Sequence, residues 1–326
     1  MADFEFIQNP ISQKWVIMAP RRSQRPDVAK GSEPVCPFCV GREKDEKEVY
    51  RIRKSEIQST KLETNTNYPN VKSQNFSDLE FRDSNLTNPE YWLVRVLPNK
   101  FPFAPIHEVI IHSPDHHKNF DELELSQVEL ILQTYRQRYT THKEKGQVYI
   151  FHNHGVQGGE SLPHPHTQLA VIPNEVKTEI PRFDPTSLHL NISQLHQTAH
   201  FIIFCPKNSQ WPDEVWIAPK LQGRVFGEIN DDQLSDFAMS LQRLVQIFDI
   251  RHGNEFPYNF FIYPGGNWYL RLIPRKKTLG GFEVGTGIFV NTQSPLETIA
   301  FIKAHFDNPD TEKIRREHQA EYHTGV

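Results

Sequence analysis

"GGESLPHPHTQLAVIP", residues 158–173, sets His164, His166 and Gln168 at alternate positions directly after a pair of glycines. In a strand the side chains alternate faces, and the chain rises about 3.3 Å per residue. The three polar groups therefore share one face, while Leu169 and Val171 point the other way. A half-buried strand commits one face to the core, so a face of imidazoles is either solvated or chemically employed. Pro165 holds the backbone extended between the two histidines.

Working outward, the chain reads as a duplication. "HEVIIHSPDHHKNFDELELSQVELILQTYRQR", from His107 to Arg138, and "DEVWIAPKLQGRVFGEINDDQLSDFAMSLQRL", from Asp213 to Leu244, share one plan. Each has a short apolar strand, a polar connection, an acidic cap and an amphipathic helix. The apolar stripes are Val128, Leu130, Ile131, Leu132 and Tyr135 in the first, and Leu234, Phe237, Ala238, Leu241 and Leu244 in the second. Ser126 and Asp231 stand where N-caps belong. After each helix come strand, glycine turn and strand ending in Ile-Pro; Arg271 and Ile273 fall near the places of His164 and His166. The expected fold is α+β: two repeats, residues 1–180 and 181–326, joining strands into one mainly antiparallel sheet with helices packed on it. The chemistry is expected in the first repeat. Residues 41–90, charged and rich in Ser, Asn and Thr, suggest a long surface excursion, and residues 307–326 a solvated helix or frayed end.

Composition excludes several classes. A net charge of -4 and a pI near 6.5 give no reason to expect nucleic acid or an anionic membrane as partner. The chain has no apolar run long enough to span a bilayer, and "MADFEFIQNP" lacks the basic and apolar regions of a signal peptide. Three cysteines make no paired disulfide framework. A soluble cytoplasmic protein is expected.

"PVCPFCVGRE" places Cys36 and Cys39 at the spacing of a turn whose two thiolates share a tetrahedral ion, and no strand-helix context around them suggests a redox pair. Zinc needs two further ligands. His116 and His117, His152 and His154, or the HPH segment could supply them, and spacing does not choose. No G-x-S-x-G elbow is present. A neutral imidazole can itself attack phosphorus, given a fixed tautomer and donors around the phosphate oxygens. Gly158 and Gly159 would let backbone N–H groups approach, and Ser161, Gln168 and Asn153 are uncharged donors within reach. An HxH pair on a strand can equally be a metal site. Arg21, Arg22 and Arg25 in "MAPRRSQRP" could grip phosphate or form a solvated face.

Taken together, "NPISQKWVIMAPRRSQRP", "CPFC", "SPDHH", "NHG", "GGESLPHPHTQ" and "GGFEVGTG" resemble the galactose-1-phosphate uridylyltransferase family, a branch of the histidine-triad superfamily built from two repeats. The resemblance implies zinc on Cys36, Cys39, His116 and His164, His166 as the nucleophile that becomes nucleotidylated, and Gln168 on the phosphoryl oxygens. It adds Ser161, Asn153 and Gly159 as phosphate contacts, Arg22 and Arg25 as the N-terminal arginines, and Phe38, Asn99 and Phe101 around base and ribose. Lys277, Phe282 and Glu283 match a segment that in the family reaches the sugar phosphate of the neighbouring subunit of a homodimer. The implied reaction is ping-pong: a nucleotide sugar, UDP-glucose first, gives its nucleotidyl group to His166, and a sugar 1-phosphate, galactose 1-phosphate first, removes it.

The sequence also departs from the family pattern. Arg271 and Ile273 replace the histidines of a second metal site, although Glu179 is retained, which argues against iron. Lys100 stands where an acidic residue follows the pocket asparagine, Phe289 stands where the family has a sugar-binding glutamine, and "GGFEVGTGIFVN" is closer to an ADP-glucose phosphorylase-like branch in which inorganic phosphate is the acceptor. From another class, the alternative is a non-catalytic nucleotide-binding zinc protein. A zinc hydrolase is disfavoured, because four protein ligands leave no position for water.

Overall fold

A computed structural model describes residues 3–25, 35–56, 91–184, 195–253 and 255–309. A small hairpin pairs β1 (Glu5–Gln8) with β2 (Trp15–Met18). The main sheet contains β3 (Tyr50–Arg53), β4 (Trp92–Pro98), β5 (Ile106–Ile111), β6 (Gln147–His154), β7 (His166–Ile172), β8 (Leu195–Gln197), β9 (Phe201–Phe204), β10 (Val215–Pro219), β11 (Tyr258–Ile262) and β12 (Leu270–Pro274). Among the described residues, α1 (Leu125–His142), α2 (Asp231–His252), α3 (Gly281–Thr286) and α4 (Pro295–His305) accompany them.

The ten strands run in the order β3-β4-β5-β7-β6-β11-β12-β10-β9-β8 and every neighbouring pair is antiparallel. Outward from the β6–β11 seam the two directions match, β6-β7-β5-β4-β3 against β11-β12-β10-β9-β8. The expected α+β fold of two repeats sharing one antiparallel sheet is what forms.

Alternation decides which residues meet the helices. Val148, Ile150, Leu169, Val171, Phe260, Ile262, Leu270 and Leu272 share a core with the α1 and α2 stripes, all of whose predicted residues are buried. Each such side chain taken out of water contributes about 1.5–3 kcal/mol. The opposite face carries His166, Gln168, Ala170 and Ile172 of β7. The hairpin covers its far end, where Phe6 and Trp15 pack near Ala104, Ala170 and Ile172.

Three expectations are corrected. Asn230, not Asp231, caps α2: its side chain accepts the Gln233 N–H at 2.8 Å, and Gln233 Oε1 accepts the Asn230 N–H at 3.1 Å. Asp231 instead occupies the first turn, where its charge favours the helix dipole. The residue before α1 is Glu124, with no side-chain cap, and Ser126 lies inside the helix. Residues 50–53, within the expected surface excursion, form the edge strand β3, held by pairing to β4. The rest of that excursion from 57 to 90, and the tail beyond 309, lie outside the described residues. No helix among the described residues is long and apolar enough to cross a membrane.

Candidate active site and metal centre

His164 and His166 stand at the start of β7, beside β5 on one side and β6 on the other. Register places Ile111 opposite His166 and Val109 opposite Gln168 on β5, and Phe151 opposite Gln168 on β6. Continuing that β6 register by two residues sets Asn153 across from His166. The open face thus gathers His166, Gln168 and Asn153, as period-two alternation predicts.

Carbonyl groups can only accept, so they settle the tautomers of both histidines. His164 donates Nε2–H to the Ser113 carbonyl at 2.9 Å, which frees Nδ1. That nitrogen lies 3.7 Å from Cys36 Sγ and 3.8 Å from Cys39 Sγ, and His116 Nδ1 lies 3.1 Å from Cys39 Sγ. All four donor atoms fall within 4.8 Å of one another. Atoms 2.0–2.3 Å from a tetrahedral zinc stand roughly 3.5 Å apart, so this two-sulfur, two-nitrogen set fits such an ion. His117 stacks edge-on to His116 at 4.7 Å and is outside the set. His152 and His154 lie on the helix-covered side. His152 instead donates Nδ1–H to the His166 carbonyl at 2.9 Å and stacks beside His112 at 5.3 Å.

His166 donates Nδ1–H to the His164 carbonyl at 2.9 Å, so its lone pair resides on Nε2. The ring packs against Phe38 at 5.4 Å and lines a cavity of about 300 Å³. Burial holds the imidazole below its ordinary pKa; the hydrogen bond to His164 opposes this and the nearby Arg25 guanidinium reinforces it. Phe38, Asn99, Phe101, Ser161, Gln168 and Arg25 line the same cavity. Arg22 stands behind it, donating to the Phe101 carbonyl at 2.6 Å and lying 4.9 Å from the Phe103 ring centre. Burial, and then Arg25, lower the Arg22 pKa to about 10, which leaves it charged at neutral pH. Lys100 reaches Glu46 at 3.3 Å, and both line the cavity.

The glycines act otherwise than expected. The Gly158 and Gly159 N–H groups bond the Gly155 and Val156 carbonyls, each at 3.0 Å, and so close a turn rather than face the cavity. Gly159 is needed for its left-handed φ of 83°, and at Gly158 a Cβ would meet the Tyr258 carbonyl at 2.9 Å.

Lys277, Phe282 and Glu283 lie apart from the cavity lining. Lys277 pairs with Glu283 at 3.0 Å, and Phe282 is exposed. At the places compared with the family's second metal site, Arg271 is paired with Glu214 at 2.8 Å and Ile273 is buried. The Glu179 side chain is exposed, 3.9 Å from Lys14. Residues that sequence reading passed over are His107, which bonds Gln168 at 3.0 Å, and Asn259, which bonds Asn153 at 2.9 Å. The signal for His107 was available: with "HEVIIH" read as a strand, parity puts His107 on the face of Val109 and Ile111.

Residues 5–171 match the family model described as galactose-1-phosphate uridyl transferase, N-terminal domain. The chain belongs to that family. An ADP-glucose phosphorylase of Arabidopsis thaliana is 27% identical over 327 residues, covering 89% of this chain and 90% of that protein. A galactose-1-phosphate uridylyltransferase of Thermotoga maritima is 24% identical over 328 residues, covering 90% of this chain and 96% of that protein. Among solved structures, an Arabidopsis thaliana ADP-glucose phosphorylase with bound ADP-glucose superposes with a TM-score of 0.62 at 22% identity, covering 92% of this chain and 98% of that chain. A uridylyltransferase does so with 0.66 at 19% identity, covering 93% and 98%. Family membership makes this an enzyme of the transferase or phosphorylase kind.

Proposed function

We propose that the chain transfers a nucleoside monophosphate from a nucleotide sugar to a phosphate-bearing acceptor through a covalent bond to His166. The observation that carries this is the His166 Nδ1–H bond to the His164 carbonyl, which leaves a neutral Nε2 lone pair on a ring lining the cavity. Nε2 attacks the α-phosphorus, the bond from that phosphorus to the bridging oxygen breaks, and sugar 1-phosphate leaves with the electron pair. An acceptor phosphate oxygen then attacks the same phosphorus, and the P–N pair returns to the imidazole. Gln168, Ser161 and Asn153 serve as donors to the phosphoryl oxygens, and Arg22 and Arg25 supply positive charge beside them. Phe38, Asn99 and Phe101 enclose base and ribose.

Cys36, Cys39, His116 and His164 would hold zinc, whose contribution is structural: it ties the loop at Cys36 to the residue two positions before the nucleophile. Four protein ligands leave no open position for water. Lys277, Phe282 and Glu283 are proposed to act on the sugar phosphate in a neighbouring subunit of a homodimer.

UDP-glucose and galactose 1-phosphate are the first substrates to test. Lys100 after the pocket asparagine, together with the Arabidopsis relative, supports a second pair, ADP-glucose and inorganic phosphate. With radiolabelled nucleotide sugars the wild type should form an acid-labile adduct and His166→Gly none; equal labelling of both proteins would refute the covalent step. Running both donors against both acceptors assigns the pair, and turnover dominated by ADP-glucose with phosphate would remove the galactose assignment.

A further inference from the structure

A carboxamide has two unlike ends, and only neighbours of fixed polarity settle which end faces a site. Two amides flank His166, and each is reached by chains of hydrogen bonds that start from a group able only to donate. The Phe103 backbone N–H donates to His107 Nδ1 at 3.3 Å. With Nδ1 accepting, a neutral His107 carries its proton on Nε2, which donates to Gln168 Oε1 at 3.0 Å; the Asn99 amide nitrogen, 3.3 Å from that Nε2, is a second donor converging on the same oxygen. The Phe101 N–H donates to Asn99 Oδ1 at 2.9 Å, so Asn99 Nδ2 faces outward and donates to the same Gln168 oxygen at 3.3 Å. On the other flank, Arg275 donates to Asn259 Oδ1 at 2.8 Å. The Asn259 amide nitrogen must then be the end that meets Asn153 Oδ1 at 2.9 Å and the Gly158 carbonyl at 2.7 Å.

We propose that His107 and Asn259, the latter aimed by Arg275, are positioning residues that turn the –NH2 groups of Gln168 and Asn153 toward the phosphoryl group carried by His166. The second half of the chain, through Asn259 on β11 and Arg275 just after β12, thus completes the phosphate site of the first. This rests on the reading of His166 as nucleophile. Gln168 lines the His166 cavity, and Asn153 stands across from His166 in the β6–β7 register. Charge grows on the phosphoryl oxygens at the transition state, where correctly faced N–H donors act most strongly. An amide turned the other way would present a carbonyl oxygen and repel them. Burial keeps His107 uncharged near neutral pH, so its donor and acceptor ends do not exchange roles there.

The test is single-turnover labelling of His166 by UDP-glucose and by ADP-glucose in the full-length protein, comparing wild type with His107→Phe, His107→Gln and Asn259→Asp. Loss of one preorganised donor costs on the order of 10²–10³ in rate, and a freed amide faces correctly part of the time. His107→Phe should therefore label roughly 10- to 100-fold more slowly at saturating donor, with the half-saturating concentration changed less than about threefold. His107→Gln, whose Nε2 can donate from nearly the same place, should recover most of that loss. Asn259→Asp keeps its partner in Arg275 but has no hydrogen to give Asn153, and should slow labelling similarly. If the wild type labels and both His107→Phe and Asn259→Asp label at its rate, the positioning role is wrong while the nucleophile stands. The positioning role fails equally if His107→Gln falls as low as His107→Phe. Should the Phe variant fail to fold, the Gln and Asp variants decide alone. A wild type that labels from neither donor overturns the nucleophile, and this proposal with it.

Discussion

The two halves of the sheet carry opposite faces on one topology. In the first, the strand next to the seam's β6 presents His166 and Gln168 to a cavity of about 300 Å³. In the second, β12, the strand next to β11, presents Arg271 beside a cluster of rings: Trp216 and Tyr269 stack at 4.1 Å and 5°, and Phe183 and Phe204 pack with them. Glu214 accepts from Arg271 at 2.8 Å, from the Trp216 indole at 2.8 Å and from the Gln210 N–H at 3.0 Å. The first face keeps the His166 Nε2 lone pair beside a space, whereas the second sets its carboxylate against three neighbouring donors.

The sharpest way to break this contrast is at His166. His166→Gly should abolish covalent labelling, whereas Arg271→Met, which removes a buried charge but leaves Glu214 its other donors, should label at the wild-type rate per folded molecule. Slow labelling by Arg271→Met would mean the second face takes part in the chemistry. Next in size, Cys39→Ser should lower metal content and melting temperature together; unchanged zinc at full occupancy would contradict the four-donor set. Third, Glu214→Ala strands a buried guanidinium and should cost about 3–5 kcal/mol in denaturant unfolding. A loss below about 1 kcal/mol would mean Arg271 finds another partner.

The smallest effect is a pH dependence. Burial is the main cause of the lowering of the His107 pKa to about 4, against 6.5 in an open chain. The unfolded chain thus binds a proton that the folded chain refuses between those values. Stability is complete above pH 6.5 and is lost as the pH falls toward 4, up to about 3 kcal/mol from this group. His112 and His152, buried and lowered further, act in the same direction. His107→Gln should flatten part of the slope in unfolding free energy between pH 6.5 and 4. An unchanged slope would place the proton elsewhere.

Much of this was legible in the sequence because it depends on short periods. Alternation in "HPHTQ" gives the face shared by His166 and Gln168, i,i+3 spacing gives the Cys36–Cys39 turn, and the helical stripes of α1 and α2 give the buried faces. Partnerships across strands were not legible. Asn259 meets Asn153 only because β6 and β11 pair in one particular register, and nothing within either segment records it. The choice of His116 over His117, or over His152 and His154, is likewise made by where loops and strands meet in space. Helix starts shifted by a residue or two because Asn230 and Asp231 are both good candidates, and the reciprocal bond with Gln233 selects the former. The glycine N–H groups were misassigned because a turn can satisfy its own donors.

The seam has a consequence for how such a chain can be cut or trimmed. A fragment ending after β7 would keep the Cys36, Cys39, His116 and His164 cluster and His166, yet β6 would become a raw border with Asn153 untethered and its hydrogen-bonding groups open to any passing strand. The half without the paired histidines is therefore not free to be discarded. It is the wall against which the working half is braced.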